Sequence, residues 1–219
     1  MNLTLHHYWR SSCSWRVRWA LELKKVPYQS VPVNILAGEH QTGAYKALNP
    51  SGQLPTLVVD GRLFSESLAI IDWLDEIVPE PALYPSHALD KMFVKQLALK
   101  IVAGTQPLQN PSLLKLFSND EAERKKHAQH FIGNGLAVYE SLLDRGQPGQ
   151  FSFGDQITVA DLCLVPQVYN ALRFSVDMSK LPRITKIYEA CLKTSACDRA
   201  APHMWAYVGS GTSANSLKE

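Results

Sequence analysis

A chain of 219 residues has room for one large core or two small ones. At 46% hydrophobic and 19% charged residues it is too apolar for a disordered chain and too evenly mixed for a membrane protein, and no apolar stretch approaches the roughly 20 residues that span a bilayer. Its 22 basic and 20 acidic residues leave a net charge of +2, without the one-sided basic excess of a nucleic-acid binder.

Residues 3–8 alternate like a strand and lack the basic start and apolar run of a signal peptide. The spacing then predicts an amphipathic helix over 12–25, with Trp15, Val17, Trp19, Ala20 and Leu23 available for packing, ended by Val26-Pro27. A second strand over 28–33 and a short helix over 45–48 lead to the turn Asn49-Pro50-Ser51-Gly52. Strands over 55–59 and 62–64 flank Asp60-Gly61, a strong hairpin signal, and a helix follows Ser65 as far as residue 78. The order β-α-β-α-β-β-α describes a small mixed sheet with helices against it, which fits a thioredoxin-like fold and other small α/β folds too.

The segment 79–85 carries Pro79, Pro81 and Pro85, cannot be helical throughout, and marks a domain boundary. Two domains are expected, an α/β domain over 1–80 and an all-α domain over 87–219 with helices near 87–117, 120–145, 158–172 and 181–194. Thr158-Val159-Ala160-Asp161 reads as a capping box, with Ile157 and Leu162 spaced as a hydrophobic staple. Arg124-Lys125-Lys126 reads as a solvated helix face, and the polar tail 209–219 as mobile. Cys13, Cys163, Cys191 and Cys197 show neither metal-ligand spacing nor the density of a disulfide scaffold, so a reducing, cytoplasmic setting fits best. Cys163 belongs in the core, and His6 and His7 read as structural.

The stretch Tyr8-Trp9-Arg10-Ser11-Ser12-Cys13-Ser14-Trp15-Arg16-Val17-Arg18 lies where the first strand gives way to the first helix. Backbone amides at a helix N-terminus stabilise an anion, and a thiolate benefits as a phosphate does. Ser11, Ser12 and Ser14 supply hydroxyls there, and Arg10 and Arg16 supply positive charge. A serine-rich cap over a buried cysteine is an equal reading of the same residues. A thioredoxin-type redox pair is excluded, since Arg16 stands where its second cysteine belongs. One-cysteine exchange with a disulfide stays open.

This stretch resembles the Ser-Ser-Cys signature of the zeta class of glutathione transferases, whose members include maleylacetoacetate isomerases. The resemblance continues through Asn49-Pro50, Gln53-Leu54-Pro55-Thr56-Leu57, Glu66-Ser67-Leu68-Ala69-Ile70-Ile71, Gln106-Pro107-Leu108-Gln109-Asn110 and Gly154-Asp155 with the capping box. It ends around Leu164-Val165-Pro166-Gln167-Val168-Tyr169-Asn170-Ala171 and Arg173-Phe174, so ordered matches span most of residues 3–202.

The resemblance implies a glutathione transferase architecture, glutathione as cofactor, a small unsaturated diacid as substrate and a homodimer. It implies that Ser11 sits beside the glutathione sulfur, within a binding segment that also includes Ser12, Cys13, Ser14, Trp15 and Arg16. It implies that Pro55 is cis and that the Leu54 backbone pairs with the cysteinyl part. Ser67 would take the γ-glutamyl carboxylate and Glu66 its ammonium group, with His40 toward the glycyl end. Gln53, Gln106, Asn110 and Ser112 complete the implied binding set. Ser11, Arg10, Cys13 and Arg173 form the implied catalytic set, with Arg10 and Arg173 on the two ends of a diacid.

The implied reaction is addition of the glutathione thiolate to a cis double bond, rotation, and elimination to the trans isomer. Glu66 and His40 stand where other members carry Gln, and the family's usual ending is lost from His203 onward. Maleylpyruvate isomerases carry an arginine after the segment matching Gln109-Asn110, where this chain has Pro111 and Ser112. The resemblance is also compatible with a general transferase acting on haloacids. A non-catalytic glutathione-fold protein would share the architecture, but the intact Ser11-Ser12-Cys13 run argues against it.

Overall fold

Leu3–His7 forms β1, with Leu3, Leu5 and His7 buried and the residues between them half-buried, the period of two that a strand on a core requires. Helix α1 (Ser12–Lys24) is buried along most of its length, and Lys25 ends it in a left-handed conformation. Strand β2 (Gln29–Pro32), helix α2 (Gly43–Leu48), strands β3 (Thr56–Val59) and β4 (Arg62–Phe64) and helix α3 (Ser67–Ile77) follow. The computed structural model describes residues 1–147 and 149–206. The tail 209–219, expected to be mobile, lies outside the described residues.

The sheet has the order β2-β1-β3-β4, with β2 parallel to β1 and the other pairs antiparallel. The β3–β4 hairpin closes on Asp60 and Gly61, both at positive φ (47° and 83°), as a primed two-residue turn demands. Pairing of His7 with Pro32, His6 with Thr56 and Leu57 with Phe64 brings four ends to one edge of the sheet. The exit of β1, the exit of β2, the entry to β3 and the exit of β4 all lie there.

The chain divides into two units, one of Met1–Pro81 with the stretch from Ser195, the other of Ala82–Thr194. The last stretch thus differs from the expectation that 87–219 forms one helical domain. Helices α9 (Ser195–Ala200) and α10 (Pro202–Trp205), not anticipated in the sequence, fold back onto the sheet unit, with α9 against α1. The Arg18 guanidinium donates to the Ala200 carbonyl at 3.0 Å and Arg199 pairs with Glu22 at 2.6 Å.

The helical unit comprises α4 (Ala88–Val102), α5 (Pro111–Phe117), α6 (Glu121–Leu143), α7 (Val159–Arg173) and α8 (Pro182–Leu192). The single helix expected over 87–117 is broken. After α4 comes a 3-10 turn, Gln106–Gln109, because Pro107 and Pro111 have no amide to continue an α-helical ladder and Gly104 weakens it. The core runs through Leu97, Ile101, Ile132, Leu136, Leu162, Val165 and Ile184, all buried. At the head of α7 the buried Asp161 carboxylate accepts from the amides of Thr158 and Ser152, both at 2.8 Å. Burial pushes its pKa up and these hydrogen bonds oppose the shift. Cys163, Cys191 and Cys197 are buried thiols in no disulfide, and burial pushes the pKa of the last up to about 12.

Candidate active site

The edge of the sheet where those four ends converge carries the chemistry-bearing residues of the first unit. At the exit of β1 the chain makes a turn in which the Ser11 amide donates to the Tyr8 carbonyl at 3.0 Å. Ser11 then caps α1: its hydroxyl oxygen accepts from the Ser14 amide at 3.2 Å. An oxygen that accepts through a lone pair keeps its own proton to donate outward. Ser11, Arg10 and Cys13 are partly exposed, and the Arg10 guanidinium lies 5.3 Å over the Trp9 ring.

The rest of the signature faces inward. Ser12, Ser14, Trp15 and Arg16 are buried, and the Ser14 hydroxyl accepts from the Tyr8 amide at 3.4 Å. The expectation that the Ser14 hydroxyl joins Ser11 at one spot is therefore corrected: three residues along a helix from the cap, its side chain turns into the core. Arg16 donates to Cys13 Sγ at 3.0 Å and to the Ser12 carbonyl at 3.3 Å, so its charge is engaged within the first turn.

At the entry to β3 the Leu54–Pro55 bond is cis and Leu54 is partly exposed. Gln53 is exposed, and its carbonyl accepts from the Tyr45 hydroxyl at 2.7 Å and the Asn49 side-chain amide at 2.9 Å. Tyr45 and Asn49 are supporting residues that sequence reasoning missed. Their signal was available in the buried-type Tyr45 on a short helix and in the Asx turn that Asn49 makes before Gly52. At the exit of β4, Glu66 holds a positive φ of 67°, rare for a residue with a Cβ, and directly precedes α3, whose first residue Ser67 is buried. Beyond β2, His40 is partly buried in a 3-10 turn (Glu39–Gln41), and burial, then Lys46, lower its pKa. Gln41 ties that turn to the Gly52 carbonyl at 3.4 Å. Two helix N-termini, those of α1 and α3, thus meet the same sheet edge, where their unpaired amides favour negative charge.

The remaining candidates belong to the helical unit. Gln106 opens the 3-10 turn, Asn110 precedes α5, and Ser112 is exposed in its first turn. Between them Gln109 is buried and donates to the Gln167 side chain on α7 at 2.7 Å, which fixes the turn to the core. Arg173 is exposed in the last turn of α7, donates to Asn170 Oδ1 at 3.0 Å and lies 6.0 Å over the Phe174 ring. Among the described residues no group of three His, Cys, Asp or Glu side chains is placed to hold a metal ion, and no helix is long and apolar enough to cross a membrane.

A small mixed sheet with two helix N-termini at one edge, joined to a separate helical unit, is a thioredoxin-like domain with a helical partner. Family models agree: the glutathione S-transferase N-terminal domain matches residues 10–77 and the glutathione S-transferase C-terminal domain residues 109–208. A maleylacetoacetate isomerase of Rhizobium meliloti is 42% identical over 202 residues, 90% of this chain and 95% of that protein. A bacterial zeta-class maleylpyruvate isomerase in its holo form superposes with a TM-score of 0.88 at 40% identity, covering 91% of this chain and 96% of the other. A maleylacetoacetate isomerase from Anaeromyxobacter dehalogenans, with dicarboxyethyl glutathione and citrate in its active site, gives 0.83 at 40% identity over 92% of this chain and 94% of its own. The chain belongs to the glutathione S-transferase family, and within it to the zeta class of the maleylacetoacetate and maleylpyruvate isomerases.

Proposed function

We propose that the chain is a glutathione-dependent isomerase that turns maleylacetoacetate into fumarylacetoacetate, a step of phenylalanine and tyrosine breakdown in the cytoplasm. The observation that carries this reading is Ser11, a helix cap whose hydroxyl keeps a proton to donate at the edge where Leu54 and Ser67 also emerge. The donor set there suits glutathione: hydroxyls, two helix N-termini and an acidic side chain match a thiolate, carboxylates and an ammonium group. When bound, glutathione supplies a thiolate that adds to the activated cis double bond and later leaves it.

Each residue then has a task. Ser11 donates to the sulfur and, with the first amides of α1, favours its charged form. The Leu54 main chain pairs with the cysteinyl amide. Ser67 and the start of α3 hold the γ-glutamyl carboxylate, Glu66 its ammonium group, and His40 and Gln53 the glycyl side. Gln106, Asn110 and Ser112 are assigned to the same ligand by resemblance. Arg10 and Arg173 take the two carboxylates of the substrate, and Arg10 also steadies charge developing on the substrate's carbonyl oxygen.

Maleylpyruvate isomerisation is the second reading, favoured by the structural likeness to such an enzyme. Pro111 and Ser112, where an arginine is expected for that substrate, weigh against it. The protein is proposed to act as a homodimer; Leu63 and Phe64, exposed on β4, suit a covered surface. Light scattering that returned a monomer at micromolar concentration would contradict this. The site itself is tested by the ultraviolet thiolate absorbance of the glutathione complex across pH. A bound thiol that ionises at lower pH than free glutathione supports the role of Ser11, and an unshifted titration removes it.

A further inference from the structure

Arg18 is fully buried. Its guanidinium donates to the Trp9 carbonyl at 2.9 Å, the Tyr8 carbonyl at 3.4 Å and the Ala200 carbonyl at 3.0 Å, and lies 3.1 Å from His7 Nδ1. Among the described residues none of these partners is a carboxylate. A buried guanidinium is costly unless its donors are satisfied, and here main-chain carbonyls satisfy them. His7 meets it as a neutral ring: Nδ1 accepts from Arg18 and Nε2 donates to the Ser30 hydroxyl at 2.7 Å. Trp205 covers the assembly, 5.5 Å from the guanidinium and edge-on to His7 at 5.0 Å.

Two of the carbonyls that Arg18 holds, those of Tyr8 and Trp9, belong to the turn leading to Ser11. The Tyr8 carbonyl accepts both from Arg18 and from the Ser11 amide. Arg18 stands seven residues after Ser11, hence two turns along the same face of α1, and helical side chains tilt toward the N-terminus, so its reach back is natural. Resting on the glutathione-dependent reading above, we propose that Arg18 is a positioning residue for the thiol site. It fixes the turn bearing Arg10 and Ser11, and through Ala200 and Trp205 it makes the C-terminal stretch part of that support. The fork is what matters: a guanidinium holds five donors in one fixed plane that reaches the Tyr8, Trp9 and Ala200 carbonyls together, whereas a lysine ammonium is a compact point charge with three donors.

The experiment compares wild type, Arg18→Lys and Trp205→Ala in cooperative melting, in the pH titration of the glutathione thiol on the enzyme, and in kcat and KM for isomerisation. Displacing the Ser11 oxygen predicts a loss in kcat of roughly 10- to 100-fold for Arg18→Lys. KM should stay within a few-fold, and the bound thiol should titrate closer to free glutathione. Trp205→Ala should move both readouts in the same direction, by less. A merely structural arginine would lower the melting point and leave the thiol titration alone. The proposal is overturned if folded Arg18→Lys keeps wild-type titration and kcat within about twofold. Should Arg18→Lys fail to fold, the same result for Trp205→Ala overturns it. A wild-type enzyme that showed no bound thiolate at all would instead defeat the glutathione reading, and this inference with it.

Discussion

The Ser14 amide donates to the Ser11 hydroxyl at 3.2 Å, so the group assigned to thiol chemistry is also the cap of α1. The two roles separate by substitution. Ser11→Ala removes the cap, at about 1 kcal/mol of stability, and also removes the donor to sulfur. Ser11→Asp restores an acceptor for the Ser14 amide but places negative charge where a thiolate must form. The melting temperature should therefore recover in Ser11→Asp while turnover does not. Cys13→Ala should lose far less turnover than Ser11→Ala, because the cofactor brings the nucleophilic sulfur. Loss of isomerisation in Cys13→Ala with glutathione still bound would mean that the nucleophile is misassigned.

His7 gives the fold a predictable response to acid. Burial first, then Arg18, hold its pKa down at about 3, against 6.5 for the free side chain. Between those values the unfolded chain binds a proton that the folded chain refuses, so stability rises with pH. The full contribution is present above about 6.5 and is lost as pH falls toward 3, with a slope of up to about 1.4 kcal/mol per pH unit. His6, lowered by partial burial, acts in the same direction. Urea unfolding at pH 7 and pH 5 should show wild type losing about 2 kcal/mol more than His7→Gln. Equal losses in the two proteins would mean that His7 carries a proton when folded.

Arg10 and Arg173 are predicted to matter for charged substrates. Each of Arg10→Gln and Arg173→Gln should impair isomerisation of a diacid by roughly 10- to 100-fold in kcat/KM, the loss of a charge-assisted hydrogen bond. Conjugation of an uncharged electrophile needs only the thiolate and should survive better. Equal losses on both substrates would assign the arginines to the fold or to glutathione.

The sheet unit was legible because its turns are spelled out locally. Asp60-Gly61 closes the hairpin and Ser11 heads α1 as a cap residue does, and in the helical unit Thr158 heads α7 in the same way. The break after Val102 was misread: an apolar period continues past Gly104 and Pro107 even though the hydrogen-bond ladder does not. Trp15-Arg16-Val17-Arg18-Trp19 misleads in another way. An arginine is ordinarily read as solvated, but α1 is covered by α3 and by α9, and Arg16 and Arg18 are buried. The α9 cover comes from a segment far away in sequence, which no local pattern announces. The same long-range pairing hides the supporting residue Gln109, whose partner Gln167 lies on α7.

The central claim is that this chain isomerises maleylacetoacetate with glutathione as a regenerated cofactor. Its direct test is to incubate the purified protein with maleylacetoacetate, with and without glutathione, and follow fumarylacetoacetate and total glutathione together. The account predicts product formation only with glutathione present, over many turnovers, with the glutathione concentration unchanged. Product that forms equally without glutathione, or glutathione consumed one for one with substrate, would contradict it.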